Sequence, residues 1–331
     1  MIRFWCILGA LLGCVLCGCD RPAREESGSD GKVTVTLQLN WKPEPQFGGF
    51  YAARLSGAYA RHGLEVIIRE GGAGAPTVDM LAAGTVPFAI VSADEIVVAR
   101  ARGKPVKALF AVYQTHPQGI MSRASRGFRE IADVFRTAGT LAMEQGLPYS
   151  DFLKKKYGFE KLKIVPSPFG DLSVFRNDES YSMQCFVTSE PLAAARLGIE
   201  TTTFLIADAG YNPYATVLAT SDGYLAANPS VVRAMVRGTR QGWQQYLQDP
   251  GVANSEMGRL NPTMDSRTFA ESAEAQKPLI EGGDAAVHGV GHMTESRWRA
   301  LIDQLQELKV IESPLLPGDC FVEPARWFDP D

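Results

Sequence analysis

Residues 37–72, LQLNWKPEPQFGGFYAARLSGAYARHGLEVIIREGG, read in succession as a strand end, a loop, a helix and a second strand. Leading into them, Val33, Val35, Leu37 and Leu39 alternate with Thr34, Thr36 and Gln38, the period of a strand with one buried face. Pro43 and Pro45 stop that strand in a loop that carries Asn40, Trp41 and Gln46. Phe47, Phe50, Tyr51, Leu55, Ala58 and Tyr59 recur at helical spacing up to Gly63, after which Leu64, Val66 and Ile67 open the next strand. In an open α/β sheet the crevice outside the C-terminal strand ends is where ligands bind. Asn40, Trp41 and Gln46 are therefore the first candidate ligand contacts: the indole offers a stacking face, and the two amides can donate or accept.

Working outward, strand-like and helix-like runs keep alternating. PFAIV follows a helix around 77–83, VKALFAV follows one around 94–102, and QGIMS comes next. A second set runs through TLAM, a helix over 149–157, KLKIV, QCFVTS, a helix over 191–197 and TTFLIA. ATVLAT and the helix opened by Asn228 and Pro229 then read as a return to the first set. Such alternation predicts an α/β fold with mostly parallel sheets. It divides the chain into a lobe from 32–115 and 213–331 and a second lobe from 116–212. The stripes Val232, Met235, Val236, Trp243, Tyr246, Leu247 and Trp298, Leu301, Ile302, Leu305, Leu308 read as core.

The same strand-end logic supplies the remaining candidates. Ser92 follows PFAIV, with Asp94 as the expected helix cap, and Tyr113 and Gln114 follow VKALFAV. Glu144 and Tyr149 lie between TLAM and its helix, and Glu190 closes QCFVTS, where it could equally serve the helix N-terminus. Tyr211, Asn212 and Tyr214 fall at the second passage between lobes, as a hinge or a stacking wall.

The 331 residues are 45% hydrophobic and carry a formal charge of -4, which gives no bias toward nucleic acid. At the amino terminus Arg3 precedes the apolar run ILGALLGCVLCG, which ends at Cys19 and gives way to DRPAREESGSDG. That is the pattern of a lipoprotein signal over 1–18, with Cys19 lipidated and 19–31 a tether; the apolar run is shorter than the roughly 20 residues a membrane span needs. The protein is expected on the outer face of the cytoplasmic membrane, periplasmic or extracellular, held by its lipid. Cys14, Cys17 and Cys19 imitate metal-ligand spacing, but only Cys19 outlasts the signal. Cys185 and Cys320 read as separate buried thiols rather than a disulfide. His288 and His292 flank a GVG segment and read as loop histidines, so no metal site is expected. No serine sits in a G-x-S-x-G elbow, which leaves hydrolase chemistry without support.

The chain resembles the periplasmic binding proteins for thiamine-pyrimidine precursors and their relatives for sulfonates, nitrate or riboflavin. The resemblance is carried by LNW-x-P, GAYARHGLEV, GGAGAPT and LAAGTVPFAIVSADEIVVARARGKPV, and more weakly by SEPLAAARLG and AANPSVVRAMVRG. It implies a two-lobed, type II periplasmic binding fold with the ligand in the cleft between lobes. It also implies a monomer that delivers a small heterocycle to an ABC permease and its ATPase, without a cofactor. Glu190 matches an acidic residue that pyrimidine-binding members place against the aminopyrimidine ring. A pyrimidine synthase shares this fold, but its cofactor-bearing lysine falls at Val91, its histidine at Glu95, and its cysteine motif across 211–215, where there is no cysteine. A Schiff base needs an amine, so the expectation is a binding protein, not an enzyme.

Overall fold

The computed structural model of the chain describes residues 31–328. The expected signal, Cys19 and all of the tether except Gly31 lie outside the described residues. Among the described residues ten strands form in chain order: β1 (Val33–Gln38), β2 (Leu64–Arg69), β3 (Phe88–Val91), β4 (Val106–Tyr113), β5 (Gln118–Arg123), β6 (Gly139–Ala142), β7 (Leu162–Val165), β8 (Tyr181–Phe186), β9 (Thr201–Leu205) and β10 (Ala215–Ser221). They pair into two five-stranded sheets, ordered β2-β1-β3-β10-β4 and β7-β6-β8-β5-β9. The chain leaves the first sheet after β4 and re-enters it at β10.

The alternation of threonine and aliphatic residues in β1 gives a strand parallel to β2 and to β3, as a βαβ start requires. The sheets are mixed, however. β10 runs antiparallel between β3 and β4, and β5 runs antiparallel between β8 and β9. In both cases the first strand after a passage between sheets lies reversed among its neighbours, a consequence of entering from the side on which the passage runs.

The helical periodicity of residues 47–63 is realised in pieces. Pro45–Phe47 is a 3-10 turn, Gly48–Leu55 is an α-helix, and Gly57, at φ 74, breaks the run before Ala58–Arg61. Gly48 and Gly49 are there for packing. A Cβ on Gly49 would stand 2.2 Å from the Trp243 ring, and one on Gly242 would stand 2.2 Å from the Gly49 carbonyl oxygen. The helix Pro229–Gln248 thus lies against Gly48–Leu55 backbone to backbone, with Trp243 and Tyr246 filling the flanks. Asn228 stands at the expected N-cap position but makes no capping hydrogen bond. Residues 251–288, unassigned by pattern, form the helices Gly251–Leu260, Ser266–Glu281 and Gly283–His288.

Three cores result. One lies between the first sheet and the helices Gly48–Leu55 and Pro229–Gln248; another lies inside the second lobe around Met121, Phe175 and Met183. The remaining core runs from Ile96, Val97 and Trp298 on the first lobe through Tyr211 and Tyr214 to Ile120, Phe135 and Leu141 on the second. Apolar packing is therefore continuous along the side where the chain crosses. Cys185 and Cys320 are buried and unpaired. Among the described residues no helix is long and apolar enough to cross a membrane.

Candidate functional site

At the end of β1 the Gln38 amide donates to the carbonyls of Glu70 (2.9 Å) and Leu39 (3.0 Å), which ties the following loop to the end of β2. Gly71 is packed so closely there that a Cβ would stand 2.3 Å from the Leu39 oxygen. This anchored loop presents Asn40 and Trp41, both half-buried. The indole N–H donates to Glu44 Oε1 (3.1 Å), and the Gln46 amide donates to Glu44 Oε2 (3.2 Å). Glu44 is thus the hub of the loop, a residue that sequence reasoning passed over between two prolines. Burial pushes its carboxyl up, against the opposing pull of Gln46, Trp41 and Lys42. Gln46 reaches that carboxylate rather than standing free for a ligand.

At the end of β3 the N-cap of the helix Ala93–Ala101 is Ser92, not Asp94 as expected from sequence. The Ser92 backbone N–H donates to Glu95 Oε2 (2.7 Å), and the hydroxyl reaches both Glu95 and Asp94. Asp94 is buried and receives the Tyr211 hydroxyl at 2.7 Å. Glu95 is exposed. Its carboxyl is nevertheless raised, by desolvation first, then by Asp94, with Glu144 of the other lobe adding to it. The S-x-x-E spacing of SADE was the signal that could have found it.

In the second lobe Gln184 of β8 organises Glu144 and Tyr149. Gln184 Oε1 accepts from the Glu144 backbone N–H (2.6 Å) and the Tyr149 hydroxyl (2.5 Å), while its amide donates to Glu144 Oε2 (3.1 Å). β8 ends at Phe186, so Glu190 is the first residue of the helix Glu190–Arg196 rather than the last of a strand. Its Oε2 accepts from the Phe186 backbone N–H at 2.8 Å. Burial first, and in small part Glu44 of the other lobe, raise the Glu190 carboxyl to about 7 against the pull of two backbone hydrogen bonds. Between β7 and β8 the chain also presents Phe169, whose ring centroid lies 6.0 Å from that of Trp41, with planes tilted by 34°.

The remaining candidates gather where the chain passes between lobes. Asn212 Oδ1 accepts from the His116 backbone N–H (2.8 Å), and its amide donates to the Gln114 carbonyl (3.4 Å), so it ties the two connections together. Arg297 donates to Gln114 Oε1 (3.2 Å), to the Gln114 carbonyl (2.8 Å) and to the Asn212 carbonyl (3.1 Å). Its guanidinium also lies 3.8 Å from the Tyr214 ring centre, and the Tyr214 hydroxyl donates to Asp284 at 2.7 Å. Tyr113 is fully buried and donates to Gln276 (2.7 Å). The polar atoms of Gln114, Asn212, Tyr113 and Tyr214 are thus engaged within the protein, and Arg297, absent from the sequence reading, is the centre of that knot. Burial pushes the imidazole of His116 beside it down to about 4 against the pull of Asp94.

Taken together, the cleft walls oppose carboxylates. Burial is the main cause of the raise at Glu190 and Glu95, and the charge of Glu44 adds to the first and that of Glu144 to the second as the smallest contribution. Where they are ionised, such carboxyls accept hydrogen bonds and favour positive charge over negative. Val91 is a fully buried strand residue with no amine to offer. His288 ends a helix and stacks on His292 at 4.2 Å, and among the described residues no three His, Cys, Asp or Glu side chains gather as a metal site would need.

A family model described as NMT1/THI5 like matches residues 44–253. A riboflavin-binding protein of Chloroflexus aurantiacus is 23% identical over 85% of this chain and 82% of its own. A formylaminopyrimidine-binding protein of Halalkalibacterium halodurans is 21% identical over 89% of this chain and 91% of its own. The alkanesulfonate-binding protein SsuA of Xanthomonas axonopodis pv. citri, solved with MOPS bound, superposes with a TM-score of 0.66 at 11% identity, covering 91% of this chain and all of that one. At that identity the likeness concerns the fold, which is that of the two-lobed periplasmic binding proteins.

Proposed function

The chain belongs to the NMT1/THI5 like family, and from that premise we propose that it is the substrate-binding component of an ABC importer, taking up a small, flat, amino-bearing heterocycle of the thiamine-pyrimidine-precursor class. The carrying observation is the geometry around Glu190, whose carboxylate accepts from the Phe186 N–H at 2.8 Å and lies 3.9 Å from the Cβ position of Gly170, in the loop whose Phe169 ring stands 6.0 Å from the Trp41 ring of the other lobe. A sulfonate or nitrate needs cationic or N–H donors around it, and these walls present acceptors instead. An amino group can donate to Glu190, a protonated ring nitrogen gains from the same charge, and the ring can lie against Trp41. The protein binds without chemistry and works outside the cytoplasm, tethered by a lipid on Cys19 and docking as a monomer on a permease coupled to an ATPase. Cys19→Ala is expected to release it from salt-washed membranes.

The test is a thermal-shift screen of the purified protein against an aminopyrimidine, riboflavin, an alkanesulfonate and nitrate, followed by calorimetry of any hit. Selective binding stabilises the native state by mass action, about 2.7 kcal/mol at a hundredfold excess over Kd. The aminopyrimidine should raise Tm and the two anions should not. A shift with nitrate or the sulfonate alone would reject the heterocycle assignment.

A further inference from the structure

We propose that Phe169 is the second wall of an aromatic clamp, closing with Trp41 over opposite faces of a planar ring held beside Glu190; the proposal rests on the cleft reading above. Phe169 is a large apolar side chain with 49% of its surface in solvent. Its backbone sits at φ 48, in the left-handed region that disfavours side chains with a Cβ. An exposed aromatic gains nothing from the interior that would repay such a conformation, and outliers of this kind gather at ligand clamps.

The loop is built to hold it. Pro166 and Pro168 fix their own φ on either side of Ser167, whose hydroxyl accepts from the Phe169 N–H at 3.3 Å. The Asp171 N–H donates to the Pro168 carbonyl at 3.1 Å, and Gly170 turns the chain at φ 90. A Cβ on Gly170 would lie 3.9 Å from Glu190 Oε1, so the loop carrying the ring lies over that carboxylate. Trp41 comes from the other lobe, so the 6.0 Å ring pair exists only while the lobes are together. Two stacked contacts of about 3.5–4.0 Å each need walls roughly 7–8 Å apart. Opening the pair by one to two ångströms and levelling its 34° tilt therefore admits one flat ring.

The experiment compares Phe169→Ala, Phe169→Leu and Phe169→Tyr with the parent chain by titration calorimetry, using an aminopyrimidine and riboflavin as probes. Phe169→Gly is added for thermal unfolding without ligand. Loss of the stacking face should weaken binding roughly 5-fold to 150-fold in the Ala and Leu variants, the range of base–aromatic stacking. The Tyr variant should stay within about threefold. Because Gly tolerates positive φ, Phe169→Gly should keep or raise Tm while losing affinity, which a merely structural role would not do. If the parent binds a ring and the Ala and Leu variants bind it within twofold, the clamp is wrong and the heterocycle reading stands. If the parent binds neither ring, that reading is overturned and the clamp with it.

Discussion

Trp41 and Glu190 stand on opposite lobes, and each is positioned by a local hydrogen bond, the indole by Glu44 and the carboxylate by the Phe186 N–H. Trp41 also packs against the core of the first lobe, so its removal is read for binding only where the variant keeps the parent fold. Trp41→Ala is expected to weaken binding of the heterocycle by about 2–4 kcal/mol if the indole contact is that of a buried aromatic. At about 1.4 kcal/mol per decade this is roughly 30-fold to 1000-fold in Kd. Glu190→Gln keeps the side-chain acceptor for Phe186 but loses the charge, and it should cost about 1.5–3 kcal/mol of binding to an amino-bearing ring. Calorimetry measures both, with circular dichroism confirming the fold. Equal affinity in all three proteins would move the ligand elsewhere in the cleft. At this scale the sequence was partly legible. Trp41 and Glu190 could be picked because strand ends mark a crevice, whereas Glu44 looked like punctuation between prolines. Gln184 was hidden inside a strand pattern. Phe169 sits in a short loop, PSPFGD, where no periodicity speaks.

Between elements, the closest fit is that of the helices Gly48–Leu55 and Pro229–Gln248, which meet through Gly49 and Gly242. Gly242→Ala would place a methyl group 2.2 Å from a backbone oxygen, and neither helix can move without disturbing Trp243 and Tyr246. The expected cost is about 1–3 kcal/mol of stability, read from the denaturant midpoint with the slope unchanged. A change under a few tenths of a kcal/mol would mean that the helices separate easily. The passage between lobes makes a second element-scale test. Arg297→Ala removes three hydrogen bonds from the two connections and the cation over Tyr214. It should speed backbone hydrogen exchange around residues 114–118 and 205–215 more than in either sheet, since the freed carbonyls lie there. Uniform exchange would deny Arg297 that role. The α/β class was readable because runs such as β1 and the stripe on Pro229–Gln248 carry their own periods. The reversed placement of β10 was not, because it depends on pairing with β3 and β4 more than a hundred residues earlier.

Across the whole molecule, the cleft brings like charges together while the rims bring opposite ones. Arg196 meets Glu271 at 2.7 Å and Lys155 meets Glu307 at 2.8 Å, both between lobes and both partly in solvent, where such pairs contribute little. Burial raises the carboxyls of Glu44 and Glu190 above the usual carboxylate range, Glu190 to about 7, and that of the more exposed Glu95 is raised as well. A carboxyl whose pKa is raised in the closed form binds more protons there than in the open form. Closure is therefore favoured below the ordinary pKa and loses that advantage as pH rises through the raised value. For Glu190, raised to about 7 chiefly by burial and in smaller part by Glu44 of the other lobe, whatever share of the raise closure adds opposes closing the empty cleft once the group is ionised. The unliganded protein should accordingly have a larger radius of gyration by X-ray scattering at pH 8.5 than at pH 5.5. Adding an amino-bearing cationic ring at pH 8.5 should restore the compact form, because the ligand neutralises the facing carboxylates. In a chain carrying both Glu95→Gln and Glu190→Gln the pH dependence should largely vanish, while the rim pairs stay in place. A parent protein whose dimensions are the same at both pH values would show that carboxylate repulsion does not govern closure. Contraction by nitrate in place of the cation would reverse the sign assigned to the cleft.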